Sequence, residues 1–328
     1  MIDIAIVGLP RSGTTALYSY LASHPAIAGA AGKETYFLMD ADKDPQCDRP
    51  RFVTHGWAGL APAFADAKPG QLRLEATTWH IYQETARTAL AALDPQPLVI
   101  VCLREPAEQI RSMFYYAQFH NRGTGLTFET FVSHLLNERY SELERVMEPR
   151  DARNFLTRND YCSWLDVWSA DFPPERLMIV PFDDLVSRAG EICEEICKRV
   201  GVDSAHFAGL VPERVNPTVH WRSDRFHRMV VLTAIKLTRP LGLRGLKSWL
   251  FARYITVMTS NTNARSREIR DAGALAELRE AFRGPNARLA QRYGIRFDDD
   301  RSRLQLSGGA ALFVDHATDA ATCLPWPI

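Results

Sequence analysis

The beginning of the chain combines a short apolar run with a glycine-rich turn. The run reads DIAIVG (Asp3–Gly8), the turn reads GLPRSGTT, and apolar residues then recur at helical spacing as far as Pro25. A strand, a glycine loop and a helix in this order aim free backbone N–H groups at an anion. This arrangement predicts an α/β protein with an anion site near its first strand.

Further apolar runs predict the other strands, at 71–77, 97–104 and 176–185. The run at 97–104 is nearly continuous in apolar residues, as in a parallel strand covered on both faces. Helical patterns lie at 107–119, 128–143, 162–168, 189–200 and 274–293. The alternation predicts a three-layer α/β/α sandwich around a central parallel sheet, in a phosphate-loop, kinase-like arrangement. No repeat or linker interrupts it, so residues 1–328 are predicted to form one domain.

The bulk composition restricts the function classes. The 328 residues carry 39 basic and 39 acidic side chains, whereas a dedicated nucleic-acid binder is usually basic overall. No run reaches the ~20 apolar residues that span a bilayer, and no basic segment precedes the first strand as in a signal peptide. The six cysteines form no C-x-x-C pair and are interpreted as buried reduced thiols. These features predict a cytoplasmic protein without a metal.

One stretch departs from the neutral balance. From Arg214 to Arg253 there are nine basic residues and one acid, interleaved with apolar runs. Such a basic amphipathic surface fits an anionic acceptor or a peripheral membrane contact, and a solvated helix face above the core is the plainer interpretation. The sequence leaves the oligomeric state open.

The glycine-rich turn differs from a nucleoside triphosphate loop in the position of its cation. A kinase loop carries Lys after its second Gly, whereas here Thr14 follows Gly13 and the basic residue is Arg11, inside the turn. The loop therefore lacks the main cation that binds a triphosphate together with Mg²⁺. Arg11 can reach a leaving oxygen, while Gly13 allows close backbone approach and Thr14 and Thr15 supply hydroxyl donors. The loop suits one 5′-phosphate that bears a leaving group.

This loop resembles that of the sulfotransferases that use 3′-phosphoadenosine 5′-phosphosulfate (PAPS). Their second signature is a strand that ends in Arg-x-Pro, followed by a helix with a Ser six residues later. VIVCLREPAEQIRSMF supplies Arg104, Pro106 and Ser112 at these places, and Gln109 where a second Arg is common. The resemblance implies that Arg104 and Ser112 hold the 3′-phosphate. It implies that the loop holds the 5′-phosphosulfate through Pro10, Arg11, Ser12, Gly13, Thr14 and Thr15.

Three more segments resemble segments of the family and occur in the family's order. They are GKETYFLMD at 32–40, a tyrosine- and tryptophan-containing segment at 161–185, and a closing helix at 278–294. In the first, the resemblance to the glycan enzymes implies that Glu34 is the catalytic base, with Lys33 beside it as a partner of the sulfonate or the leaving phosphate. LEATTWHIY lacks the Lys that these enzymes carry in the corresponding segment. His80 in this segment is the alternative base, because imidazole transfers protons near neutral pH.

The implied reaction transfers a sulfuryl group from PAPS to an acceptor hydroxyl, or less readily an amine, and releases 3′-phosphoadenosine 5′-phosphate (PAP). The acceptor is expected to be a glycan, a glycolipid or a small molecule. Arg11 would stabilise the charge that develops on the leaving 5′-phosphate, so that no metal is required. Two alternatives stay open, a phosphate-loop small-molecule kinase and a non-catalytic protein that binds PAP.

Overall fold

The computed structural model describes residues 1–40, 50–119, 125–144, 149–210 and 264–297. These residues group into two compact units. The first contains 1–40, 50–109, 157–210 and 282–297, and the second contains 110–119, 125–144, 149–156 and 264–281. The single domain expected from the sequence stays a prediction. The basic stretch Arg214–Arg253 lies outside the described residues.

A five-stranded parallel sheet forms the centre of the first unit. Its strands are β1 (Ile4–Gly8), β2 (Ile27–Gly29), β3 (Leu72–Glu75), β4 (Leu98–Leu103) and β5 (Leu177–Pro181). They lie in the order β2-β3-β1-β4-β5, and each neighbouring pair is parallel. After β1 the chain builds one side of the sheet and then crosses to the other. The carboxyl end of β1 is therefore a topological switch point, where open α/β sheets bind ligands.

Helices cover both faces of this sheet. Alternate residues of β4 are buried in two separate apolar clusters, as expected of a strand covered on both sides. One cluster includes residues of α1 (Thr14–Ala22) and α9 (Phe182–Val200), and the other includes residues of α3 (Glu84–Ala91) and α8 (Tyr161–Ser169). The fold is thus the phosphate-loop, kinase-like α/β/α sandwich predicted from the sequence.

The remaining helices are distributed over the two units. The first unit also holds α2 (Phe52–His55), 3-10 helices at Gly56–Phe64, His80–Tyr82 and Ala205–Phe207, and α11 (Arg283–Tyr293). α4 (Pro106–Phe119) begins in the first unit, and α7 (Pro149–Arg158) ends in it. In the second unit α5 (Phe128–Leu136) packs against α10 (Ala264–Ala281), beside α6 (Tyr140–Glu144). Across the described ranges, no helix has the length and apolar character needed to cross a membrane.

Several boundaries predicted from the sequence are wrong, for local reasons. The helix expected over 128–143 is interrupted after Leu136, because Glu138 adopts a left-handed conformation with φ of +55°. The helix expected over 274–293 is the end of α10 followed by α11, with Phe282 between them. The strand expected over 176–185 ends at Pro181, and two acids then occupy the first turn of α9, where they interact favourably with the helix dipole.

Candidate functional site

The glycine loop connects β1 to α1 at the switch point of the sheet. Gly13 closes the loop in the left-handed region, with φ of +84°, and α1 begins at the next residue. A Cβ atom on Gly13 would lie 2.8 Å from Leu185 Cδ2 and 3.1 Å from Phe182 Cδ2. Both the conformation and the lack of space therefore require glycine here. The first N–H groups of α1 lie next to the loop, as in other anion sites.

We expect Gly13→Ala to destabilise the protein more than Gly70→Ala. Both glycines have φ of +84°, but a Cβ atom on Gly70 meets no described atom within 4 Å. In both variants an alanine in the left-handed conformation therefore lowers the free energy of unfolding by about 1–2 kcal/mol. Only Gly13→Ala must also displace Leu185 and Phe182. Denaturant unfolding of the two variants measures the difference. Equal losses in free energy of unfolding would show that packing against α9 does not constrain the loop.

Two side chains support the backbone of the loop. Gln109 Nε2 donates to the carbonyl of Pro10 at 2.9 Å, and Gln109 is buried. Arg104 Nη1 donates to the carbonyl of Arg11 at 3.3 Å. Gln109, at the position where a second arginine is common in the family, therefore contacts the loop itself.

Arg104 follows the carboxyl end of β4 directly. Its guanidinium lies 4.8 Å from the centre of the Phe182 ring and 3.6 Å from the carboxylate of Glu108. These contacts hold the charged group beside the loop at the switch point of the sheet. Ser112, the other residue expected at the 3′-phosphate, lies on α4 in the second unit.

The segment after β2 places a cation and a carboxylate beside the beginning of α1. Lys33 Nζ lies 2.9 Å from Glu34 Oε1 and 3.4 Å from the hydroxyl of Thr14. The Tyr36 hydroxyl donates to Glu34 Oε2 at 2.6 Å, and the Thr78 hydroxyl lies 3.5 Å from Oε1. The side chains of Lys33 and Glu34 are 15% and 23% exposed, so both groups remain accessible to a bound molecule.

A second carboxylate, that of Glu75, lies at the end of β3 and is completely buried. Its oxygens accept hydrogen bonds from Thr35 and Thr77, and His80 Nδ1 lies 3.2 Å from Oε2. Burial raises the pKa of Glu75, but the charge of His80 and the hydrogen bonds outweigh it and lower the pKa to about 2. The His80 side chain is 0% exposed.

The structure thus brings Lys33 and Glu34 to the loop, whereas His80 lies against Glu75 in the interior. Sequence reasoning missed Tyr36, Glu75 and the loop contact of Gln109. Glu75 ends a strand in which leucines alternate with charged residues, so nothing in the sequence distinguishes its buried carboxylate from an exposed one. No sequence signal indicates Tyr36 either. Its hydroxyl contacts Glu34 from a left-handed backbone, with φ of +54°, and the sequence does not predict that conformation.

Four of the six cysteines lie in the described part of the chain. Cys102, Cys162, Cys193 and Cys197 are buried free thiols, and burial raises the pKa of Cys102 and of Cys193 to about 12. These two thiols are therefore not ionised near neutral pH. Within the described part of the chain, no three or more His, Cys, Asp or Glu residues form a group suited to a metal ion.

Comparison with known proteins identifies the family. The model of the Sulfotransferase family matches residues 3–206, more than half of the chain. The human bifunctional heparan sulfate N-deacetylase/N-sulfotransferase 3 is 23% identical over 200 residues, which are 60% of this chain and 22% of that protein. The mouse heparan sulfate glucosamine 3-O-sulfotransferase 6 is 29% identical over 190 residues, 57% of this chain and 48% of that protein. The chain thus spans less than half the length of these relatives.

A solved structure agrees on the fold. The crystal structure of a sulfotransferase from Alicyclobacillus acidocaldarius superposes with a TM-score of 0.52 at 17% identity, over 71% of this chain and 92% of that one. The family match includes the glycine loop, the Lys33–Glu34 segment and the five strands around them. The chain therefore belongs to the sulfotransferase family.

Proposed function

We propose that this chain transfers a sulfuryl group from PAPS to a hydroxyl, or less readily an amine, of a glycan acceptor and releases PAP. One observation supports this most directly: Lys33 Nζ lies 3.4 Å from Thr14 at the beginning of α1 and 2.9 Å from Glu34. A cation and a candidate base are thereby next to an anion-binding helix terminus.

The residues around the loop fit the 5′ end of the donor. The N–H groups at the beginning of α1 and the hydroxyls of Thr14 and Thr15 are donors for phosphate or sulfonate oxygens. Lys33 supplies, from a different segment, the cation that a kinase loop carries after its second glycine. When bound, PAPS supplies the sulfuryl group and a phosphate leaving group. Arg11 and Lys33 would stabilise the negative charge on that phosphate as the bond to sulfur breaks.

The other end of the donor is assigned to Arg104 and Ser112. A guanidinium at the carboxyl end of a strand can form a bidentate contact with a 3′-phosphate. The position of Arg104 beside the loop, with its contact to the Arg11 carbonyl, is consistent with this role. Ser112 would add a hydroxyl donor from α4.

Glu34 is the proposed base. It takes the proton of the acceptor hydroxyl as the new bond from oxygen to sulfur forms, while the electron pair of the broken bond stays on the 5′-phosphate oxygen. Its side chain is 23% exposed, whereas that of His80 is 0% exposed and faces Glu75. A base has to contact the acceptor, so exposure favours Glu34 over His80.

Two relatives matched by the chain are named for heparan sulfate. This supports a glycan acceptor over an unrelated small molecule. A direct test incubates the protein with PAPS and desulfated heparin oligosaccharides and measures PAP release together with sulfonate addition by mass spectrometry. Acceptor-dependent release of PAP supports the proposal. Binding of PAP without any release indicates the non-catalytic alternative, and phosphate transfer from ATP to the acceptor indicates the kinase alternative.

A further inference from the structure

The carboxylate of Glu75 connects two chain segments that carry the candidate site. Oε1 accepts from the Thr35 amide at 3.2 Å and from the Thr35 hydroxyl at 2.9 Å, and it also accepts from the Thr77 hydroxyl. Oε2 accepts from the Thr77 amide at 3.0 Å. Thr35 immediately follows Glu34, and Thr77 immediately precedes Thr78, whose hydroxyl reaches Glu34. Glu75 therefore contacts Thr35, which is next to the candidate base in sequence, and Thr77, which is next to a residue that contacts the base.

Burial makes these contacts strong. A carboxylate without access to water is costly unless its oxygens are hydrogen-bonded and its charge is balanced. In Glu75 several donors occupy both oxygens, and His80 Nδ1 lies 3.2 Å from Oε2. The low pKa of Glu75, about 2, means that the carboxylate is ionised across the physiological range and accepts from all of these donors.

The segment that Glu75 holds has an unfavourable backbone. Lys33 and Tyr36 both lie in the left-handed region, with φ of +63° and +54°. Such conformations cost on the order of 1–3 kcal/mol each and persist only where the surrounding structure enforces them. The Thr35 amide lies between these two residues and donates to Glu75, while the Tyr36 amide donates to the Thr77 hydroxyl at 3.0 Å. Glu75 and Thr77 are thus the anchors of a strained turn.

We propose that Glu75 is a positioning residue, which holds Glu34 and Lys33 at the glycine loop by fixing the turn at Thr35 and the segment at Thr77. This inference rests on the proposed function for its kinetic consequence. His80 belongs to the same arrangement, because its Nδ1 lies 3.2 Å from Oε2 of Glu75.

The kinetic test is a double-mutant cycle between Glu75 and Glu34. Glu75→Gln is expected to lower kcat by about 10-fold to 100-fold, because small displacements of a catalytic group have effects of this size. The affinity for PAP, measured by calorimetry, should fall by a smaller factor than kcat, because Lys33 alone of the two positioned groups faces the 5′-phosphate. In the Glu34→Gln background, the same change should lower the remaining rate by a clearly smaller factor, since only Lys33 of its two targets remains. Equal losses of rate in both backgrounds would overturn the proposal, because they would indicate a general structural effect.

A second measurement does not depend on turnover. Hydrogen exchange of the 30–40 peptide, followed by mass spectrometry, should be faster in Glu75→Gln than in the wild type. Glutamine replaces one acceptor oxygen by an N–H₂ donor, so the donors of Thr35 and Thr77 are no longer all satisfied and the turn opens more often. Exchange that is unchanged in this peptide would overturn the proposal even if the protein had no sulfotransferase activity. If the wild type releases no PAP and the exchange difference is still present, the proposed function fails and the anchoring role stands.

Thr35 provides a matched pair of controls. Thr35→Ser keeps the hydroxyl that donates to Glu75, and its exchange and kcat should match the wild type within about twofold. Thr35→Val keeps the shape and removes the hydroxyl, so it should reproduce the direction of the Glu75→Gln result. A Thr35→Val protein that behaves like the wild type in both measurements would contradict the assigned contact.

Discussion

Glu34→Gln is expected to lower turnover by about 10²–10⁴-fold, the usual contribution of a positioned base. The amide keeps the shape of the side chain and removes its ability to accept a proton. PAP binding should change little, because Glu34 is proposed to act on the acceptor. Initial rates with PAPS and heparin oligosaccharides, together with calorimetry of PAP, measure the two quantities separately.

The control for this prediction is Glu84→Gln, the same chemical change at an exposed residue in the first turn of α3. It should retain turnover within about twofold of the wild type, as is usual for distant, independent sites. A Glu34→Gln protein with wild-type turnover would exclude Glu34 as the base. His80→Ala would then become the variant to examine, although it also removes the partner of Glu75.

Arg104→Ala is expected to weaken PAP binding by about 10-fold to 100-fold, because hydrogen bonds to charged groups contribute about 1.5–3 kcal/mol. Adenosine 5′-phosphate lacks the 3′-phosphate, so its affinity should fall far less. Arg104→Lys is the matched variant, since it keeps the charge and loses the planar fork. It should bind PAP with an affinity between those of the wild type and Arg104→Ala. Titration calorimetry of the three proteins with both nucleotides measures the six affinities.

The comparison of nucleotides separates two roles of Arg104. Its contact with the Arg11 carbonyl at 3.3 Å supports the loop, and loss of that contact affects both nucleotides equally. Loss of a 3′-phosphate contact affects PAP alone. Equal losses for PAP and adenosine 5′-phosphate would therefore assign Arg104 to loop support and remove it from the 3′-phosphate site.

The first strand, the loop and the first helix could be predicted because local patterns determine them. β1, β4 and β5 are nearly continuous apolar runs, as expected of parallel strands covered on both faces, and β3 alternates leucines with charged residues. β2 was missed because Ile27–Gly29 is only three residues long and carries no periodic pattern. Its effect on the site is nevertheless large, since it directs the chain to Lys33 and Glu34.

The residue types of the candidate site could be proposed from the sequence, but the contacts among them could not. The resemblance to a family indicated Glu34 and Lys33, but the approach of Lys33 to Thr14 depends on the strand order β2-β3-β1. Glu75 received no role, because a single sequence does not distinguish a buried, hydrogen-bonded acid from an exposed one. The difference arises from Thr35 and Thr77, which become its partners only after folding.

Lys33 and Glu34 are consecutive residues on one short turn, and this affects how such a site can be inherited. In a kinase loop the lysine belongs to the glycine-rich turn, so its position depends on that turn alone. Here one deletion between Ala30 and Phe37 would remove or displace both the cation and the proposed base, even if the glycine loop were untouched. Homologues that retain GLPRSGTT but have a shortened turn after β2 should therefore bind the nucleotide and fail to transfer the sulfuryl group.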